Sequence, residues 1–518
     1  MSSADGVIEH EEVPSTTVVR EGSSDQTSRC NSSSQETIIS VEEGIFHLSN
    51  GELEKLGSLE KALEGDSSAH PLIQRVPSML GENKHFQKYF KPKVIAIGPL
   101  HHDDPGLQKA EKLKLKLAAY FIKTHGLEKE MLYSKIKMEI DYLKKCYDPK
   151  EIEQYYDDDE KLSWMFFVDG CAVLQAIYLR YAPDGEVAQK ESKELNIKND
   201  LLTLVYVDLF LLENQIPYRV LDLLTSSSYN HGEQFKESIG RFIDGNVMTR
   251  AEMKKEWQQS QQNEKQMKKQ QKKQHKGKQQ KQEQQKEHPH LLDRLRERLV
   301  GKDQKHRDWG YGCLRLIKYI LTYNQKDKIS HHQHTVRNIK ELREAGIWFT
   351  PSETSCLKDI SFNRICCVGK LHLPPITVDD STGPKFMNLI AYEMCPDFDN
   401  DFTVTSYICF LDSLIDEAED VRALRDADIL HNGMGSDEEV AKLFNKMNTD
   451  LVASPIIYSQ VKTQIQNHCR NQWITYAAQA YHTHFTSPWT FLAFAGAIAA
   501  LGLSALQTYY SVIQSNQK

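Results

Sequence analysis

The chain has 518 residues, 40% of them apolar, with 64 Lys and Arg against 72 Asp and Glu for a formal net charge of -8. That composition provides for a sizeable core and leaves room for roughly two to four domain-sized units. The acidic balance argues against nucleic acid as a specific partner, because phosphate binding needs a concentrated basic face.

Residues 1–68 are rich in Ser, Thr, Glu and Gly and poor in aromatics, a composition expected to stay largely disordered, with a short helix around Leu53 to Leu63. The first thirty residues carry no apolar run of the kind a secretory signal needs, so none is expected. The main body is expected over residues 69–486. Within it, Leu107, Ala110, Leu113, Leu117 and Phe121 recur at helical spacing, and Met165, Val168, Ala172 and Leu174 to Tyr178 form a second apolar helix after the acidic turn Asp157 to Glu160. A third is expected from an N-cap at Asp200 through LLTLVYVDLFLLENQ to a stop at Ile216-Pro217. Being apolar on more than one face, these helices belong at the centre of a bundle.

Residues 254–287 are low-complexity Lys and Gln, read as a disordered insertion excluded from the core. The apolar pattern resumes at His290-Leu291-Leu292. Residues 347–378 alternate apolar and polar positions between turn residues, which predicts a small antiparallel sheet. Helices return with FMNLIAYEM and TSYICFLDSLI. Ser436 and Glu439 have capping-box spacing before another helix, and a long helix is expected from Pro455 to about His484. The fold class is therefore mainly α, a multi-helix body with a small antiparallel β element.

Residues 487–511 stand apart. No charged residue lies between Arg470 and Lys518, and about 20 residues from Trp489 to Tyr510, at about 1.5 Å each, span about 30 Å, the hydrocarbon thickness of a bilayer. Ser487-Pro488 resemble a helix start, and Trp489 and Tyr509-Tyr510 resemble interfacial aromatic belts. A transmembrane helix with the short polar tail 512–518 is predicted; a lipid bilayer is thus the first partner. Gly496, Ala500 and Ser504 recur every fourth residue, a small-residue face through which two such helices can associate into a homo-oligomer. With one span at the end, the expected topology is single-pass and tail-anchored, the bulk of the chain cytosolic and the membrane the plasma membrane.

Candidate chemistry is sparse. Ten cysteines are scattered apart from Cys366-Cys367, without CxxC or other metal spacing, as expected of reduced thiols. The clusters His101-His102-Asp103-Asp104 and His331-His332-His334 hold ligand-type residues at adjacent positions that rarely converge on one ion, so the first reads as a surface turn and neither as a zinc site. Asp208 and Glu213 lie in an apolar stretch where a carboxylate is costly unless paired, so structural pairing is expected over acid–base catalysis. Asn214 and Gln215 beside them are expected to satisfy backbone groups where the helix stops. There is no GxxxxGK[ST], GxGxxG or GxSxG arrangement, so no catalytic residue, metal or cofactor is assigned.

Taken in order, several segments resemble the plant family called domain of unknown function 247, also uncharacterised protein family 0481. These are IQRVP from Ile73, YFKPKVIAIGPLHH with Gly98, Pro99, His101 and His102, and Asp169-Gly170-Cys171. They continue with DLFLLENQIPYRVLDLL, containing Asp208, Leu212, Glu213, Asn214, Gln215 and Pro217, then with His290 to Asp293, LREAGIWF, the NLIAYE segment with Asn388 and Glu393, and Ser487-Pro488-Trp489. Leu100 stands where an aromatic is usual and Met394 where Gln often follows. The resemblance implies a mostly helical plant membrane protein with a variable N-terminus, one C-terminal span and no known catalytic activity; some grass members are implicated as pollen-side determinants of self-incompatibility. It points to a non-enzymatic recognition or signalling protein with an unidentified protein partner. The alternatives are an enzyme at a membrane surface or a scaffold recruiting partners through its disordered segments.

Overall fold

The structure is a computed structural model that describes residues 37–41, 44–63, 71–124, 126, 128–226, 232–249, 252–255, 258, 288–301, 338–365, 368–470 and 488–515. The chain divides into two compact units, Met1–Ser67 and Ser68–Lys518. The first contains an antiparallel hairpin, β1 (Thr37–Val41) with β2 (Gly44–Leu48), and helix α1 (Asn50–Leu63). The helix falls where Leu53 to Leu63 predicts one; the hairpin is an addition to the compositional reading of the arm.

The second unit is mainly helical. Its order begins α2 (Ser78–Gly81), α3 (Gln87–Phe90), α4 (Gln108–Thr124), α5 (Lys129–Met138), α6 (Ile140–Lys144), α7 (Asp159–Tyr181), α8 (Gly185–Leu195), α9 (Asn199–Asp208), α10 (Tyr218–Ser226) and α11 (Gly232–Val247). Helix α7 is its axis. Asp158 caps it by accepting from the Lys161 N–H, and because its apolar residues face every direction it is buried from Leu162 to Leu179 apart from Trp164, packed against α4, α5, α8, α10 and α11.

After α12 (Leu291–Val300) and α13 (Ile339–Glu344) come the strands β3 (Ile347–Pro351), β4 (Ser361–Ile365), β5 (Val368–Leu373) and β6 (Ile376–Val378). Helices α14 (Thr382–Glu393), α15 (Thr403–Leu414) and α16 (Ala418–Asp426) follow, then β7 (Leu430–Asn432), α17 (Asp437–Met447) and α18 (Ser459–Cys469). The sheet is mixed where an antiparallel one is expected. Strands β4 and β5 form a hairpin, but β5 takes the centre and pairs with β3 in parallel, while β6 leaves this sheet to pair in parallel with β7. Local alternation reports strands and their faces; it carries no information on partners such as Leu430, which pairs with Ile376 54 residues before it.

Ser436 caps α17 by accepting from the Glu439 N–H, the first half of the capping box the spacing predicts, while the Ser436 hydroxyl donates to Glu438 and not Glu439. The Lys/Gln tract beyond residue 258, the His331 cluster and the second half of the helix expected to reach His484 lie outside the described residues. The last helix, α19 (Pro488–Ser515), starts at the predicted proline and runs four residues past the predicted end.

Helix α9 ends at Asp208, eight residues before the stop expected at Ile216-Pro217, and residues 209–217 fold back as turns. The apolar run is continuous, yet the polar side chains within it capture backbone groups that a helix would have used. That capture builds the site below.

Candidate functional site

The segment Lys93–Gly98 has neither helical nor strand structure, yet Ile95 to Gly98 are buried. Buried backbone without a ladder must find partners elsewhere, and here side chains of the motif residues supply them. The Asp208 carboxylate accepts from the Lys93 N–H at 3.0 Å, the Val94 N–H at 2.7 Å and the Ile95 N–H at 3.1 Å. Asn214 takes both sides of the next step: its Oδ1 accepts from the Ile97 N–H at 2.7 Å, and its Nδ2 donates to the Ile95 carbonyl at 3.1 Å and the Asp208 carbonyl at 2.9 Å. Lys114 Nζ donates to the Ala96 carbonyl, and Asp169 Oδ2 accepts from the Gly98 N–H at 2.8 Å. Lys114 and Asp169, both almost wholly inaccessible, are themselves an ion pair at 2.7 Å, with Glu111 on the other side of the ammonium at 2.8 Å.

Gly98 turns the chain out of this cradle at φ +77, and a Cβ there would stand 2.5 Å from the Gln215 carbonyl oxygen. Only glycine meets both conditions. Pro99, buried, follows it, and Pro217, also buried, separates the turns from α10. Gln215 closes the abandoned helix end, its Nε2 donating to the Leu209 and Leu211 carbonyls at 2.8 Å each, and its Oε1 accepts from the Leu292 N–H at 3.3 Å.

Asn388 and Glu393, five residues apart on α14, extend the pattern. Asn388 Oδ1 accepts from the Leu212 N–H, and its Nδ2 donates to the Tyr89 and Pro384 carbonyls, each at 2.8 Å. Glu393 accepts from the Val404 and Thr405 N–H groups at the start of α15 and from Arg296 Nε, each at 2.9 Å. Two helix-terminal donors and one cation thus converge on a single buried carboxylate.

Glu213 faces outward more than its neighbours. Its Oε1 accepts from the Val76 N–H at 3.0 Å, and its Oε2 lies 2.9 Å from His101 Nε2 and 3.6 Å from Arg75 Nη1. His101 and His102 are therefore half-buried and turned toward the body, while Asp103 and Asp104 occupy the surface part of the predicted turn; His102 sits edge-on to Tyr155.

The electrostatics follow from these partners. Burial pushes Asp208 above the usual carboxylate range, against three N–H donors that pull it down. Burial also pushes Glu213 up, but His101 and the Val76 N–H outweigh it and hold the group low. Burial opposes charge on Lys114 as well; Asp169 and Glu111 prevail and raise it. The expectation of structural pairing for Asp208 and Glu213 agrees with this geometry, although their partners are backbone N–H groups and a histidine and not only an arginine. No group of three or more His, Cys, Asp and Glu side chains suited to a metal ion occurs among the described residues.

Sequence reasoning leaves Lys114 and Arg296 out of the candidate set, and names Asp169 only within a motif segment, without a role. A signal for the first exists: Lys114 falls on the face of α4 that buries Ala110, Leu117 and Phe121. At the other end of the chain, Gly496, Ala500 and Ser504 lie on α19 fully exposed, with no atom within 4 Å of a Cβ built at Gly496.

Set against known proteins, residues 73–503 match the family described as "DUF247: Plant protein of unknown function". A relative in Arabidopsis thaliana, UPF0481 protein At3g47200, is 26% identical over 476 residues, covering 90% of each chain. A second Arabidopsis UPF0481 protein, At3g02645, is 26% identical over 182 residues, 35% of this chain and 34% of that one. No solved structure matches the chain.

Proposed function

The chain belongs to the plant DUF247 family, and from that premise we propose that it is a membrane-anchored, non-enzymatic recognition or signalling protein whose helical body offers a surface to a protein partner. The observation that carries this reading is α19: Leu492–Tyr510 is long and apolar enough to cross a bilayer and none of it is buried against the rest of the chain. Covering such a helix takes lipid or another helix of the same kind, and the small-residue face of Gly496, Ala500 and Ser504 suits the second in addition to the first.

The candidate residues support the non-enzymatic side. Asp208, Asn214, Gln215, Asn388 and Glu393 have their polar atoms engaged by backbone groups or by Arg296, so none is poised for proton transfer to a substrate. In this reading the plasma membrane holds the chain, its body lies in the cytosol, and pollen self-recognition, a role in which some members of the family are implicated, is one such function it can serve.

Proximity labelling with the full chain in pollen and leaf tests the proposal. Membrane proteins recurring among the labelled neighbours support it. Labelling confined to soluble compartments, or a catalytic turnover in the purified protein that is lost in Asp208→Asn with folding intact, refutes it.

A further inference from the structure

Among the described residues, Lys114 is almost wholly buried and Lys385 is half-buried, and the two are treated differently. Lys114 has Asp169 and Glu111 within 2.8 Å and a carbonyl besides. Lys385, on α14, donates to a single backbone carbonyl, that of Asn246 at 3.2 Å, and forms no ion pair among the described residues. Two of its three N–H donors are thus without a protein partner there.

Lys385 also lines a cavity of about 190 Å³ between the end of α11, the loop after β3, β6 and α14, whose other polar walls include Asn246, Ser355, Thr377, Asp379 and Tyr407. A half-buried ammonium facing a cavity without an ion-paired carboxylate is relieved by losing the proton or by gaining an anion. Burial lowers Lys385, with Asp379 opposing. Asp379 forms no ion pair with Lys385 among the described residues; its Oδ1 accepts from the Ser381 N–H at 2.9 Å and the Ser381 hydroxyl at 2.6 Å, capping the turn into α14.

We propose that this cavity binds a small, singly charged oxyanion, a carboxylate-bearing molecule of a few heavy atoms, with Lys385 as its ionic partner and the Tyr407 hydroxyl as a neutral one. The volume lies below the range of about 300–1,000 Å³ typical of larger ligands, which limits the size. The Asp379 carboxylate on the same wall repels a second negative charge, so a monocarboxylate fits better than a phosphate dianion. Thr377, exposed, marks the mouth. The site lies apart from the backbone cradle and does not depend on membrane anchoring.

The test uses the full chain in detergent micelles, with sodium acetate, sodium phosphate and sodium chloride compared at equal ionic strength. The expected result is a rise in unfolding temperature that saturates with acetate, exceeds that with phosphate and is absent with chloride. Lys385→Met should unfold at a higher temperature than the unliganded wild type and lose the acetate response. Should that variant fail to fold, modification of Lys385 in the wild type by an amine-reactive reagent, read by peptide mass spectrometry, should slow at least several-fold in acetate. Equal responses to acetate and chloride, a larger response to phosphate, or unprotected modification of Lys385 would each overturn the proposal.

Discussion

Helices α7 and α19 are both long enough and apolar enough to cross a bilayer and have the same mean hydropathy, yet 94% of the most apolar window of α7 is buried inside the body and 0% of that of α19. What separates them is the treatment of polar groups. Helix α7 carries Asp169 and Gln175 inward, and the body answers each: Lys114 and the Gly98 N–H meet the aspartate, and Glu191 accepts from the glutamine at 2.9 Å. Helix α19 has no charged residue to answer, and its Thr508 hydroxyl bonds within the helix to the Ser504 carbonyl. Hydropathy ranks both alike; the presence of a buried carboxylate with a matched cation elsewhere in the chain marks a helix made for protein, not lipid.

That contrast can be broken most forcefully at Asp169. Asp169→Ala leaves Lys114 without its closest partner and the Gly98 N–H without an acceptor, so denaturant unfolding should show a loss of about 3–5 kcal/mol, while replacing Lys114 by Met in the same chain should recover much of it. A loss below about 1 kcal/mol would mean that the cradle does not depend on this pair.

The body should also be pH-sensitive where α19 is not. His290 caps α12 by accepting from the Asp293 N–H, and burial lowers it from 6.5 to about 4. A lowered histidine is neutral in the folded state, so its contribution is complete above pH 6.5 and is lost as pH falls toward 4. Lowering from 6.5 to about 4 corresponds to about 3 kcal/mol. Unfolding measured between pH 7 and 4 should fall accordingly, with His290→Asn flattening the profile, and membrane association of the full chain should stay constant over the same range.

The smallest effect compares two glycines. A Cβ at Gly170 of α7 would stand 2.7 Å from Leu224 Cδ1 and 2.8 Å from Val220 Cγ1, whereas nothing lies within 4 Å of one at Gly496. Gly170→Ala should destabilise by about 1–3 kcal/mol through overpacking. Gly496→Ala should leave the stability of the body within about 0.5 kcal/mol of wild type.

Much of this architecture is legible along the chain because it is local. The 3.6-residue pattern locates α4 and α7, the uncharged apolar run after Ser487-Pro488 locates the start of α19, and the cap at Ser436 announces α17. The cradle is not legible in this way. Asp208 meets Lys93 to Ile95 across about 113 residues and Asn388 meets Tyr89 across 299, and periodicity reports which face of a helix is apolar, not which distant backbone a carboxylate will grip. For the same reason the run from Leu201 to Gln215 reads as one helix, although Asn214 and Gln215 divert it at Asp208. Residue types at the motif positions reveal that something polar is buried there; that the buried partner is an irregular backbone segment emerges only from the fold.

The account rests most heavily on the opposite fates of two equally apolar helices. Detergent phase partition of the full chain and of a chain lacking residues 488–518 tests it directly. The full chain should enter the detergent-rich phase and the shortened one should remain in the aqueous phase with its helical signal retained. A full chain that stays aqueous would contradict the assignment of α19 to lipid and with it the membrane-anchored reading.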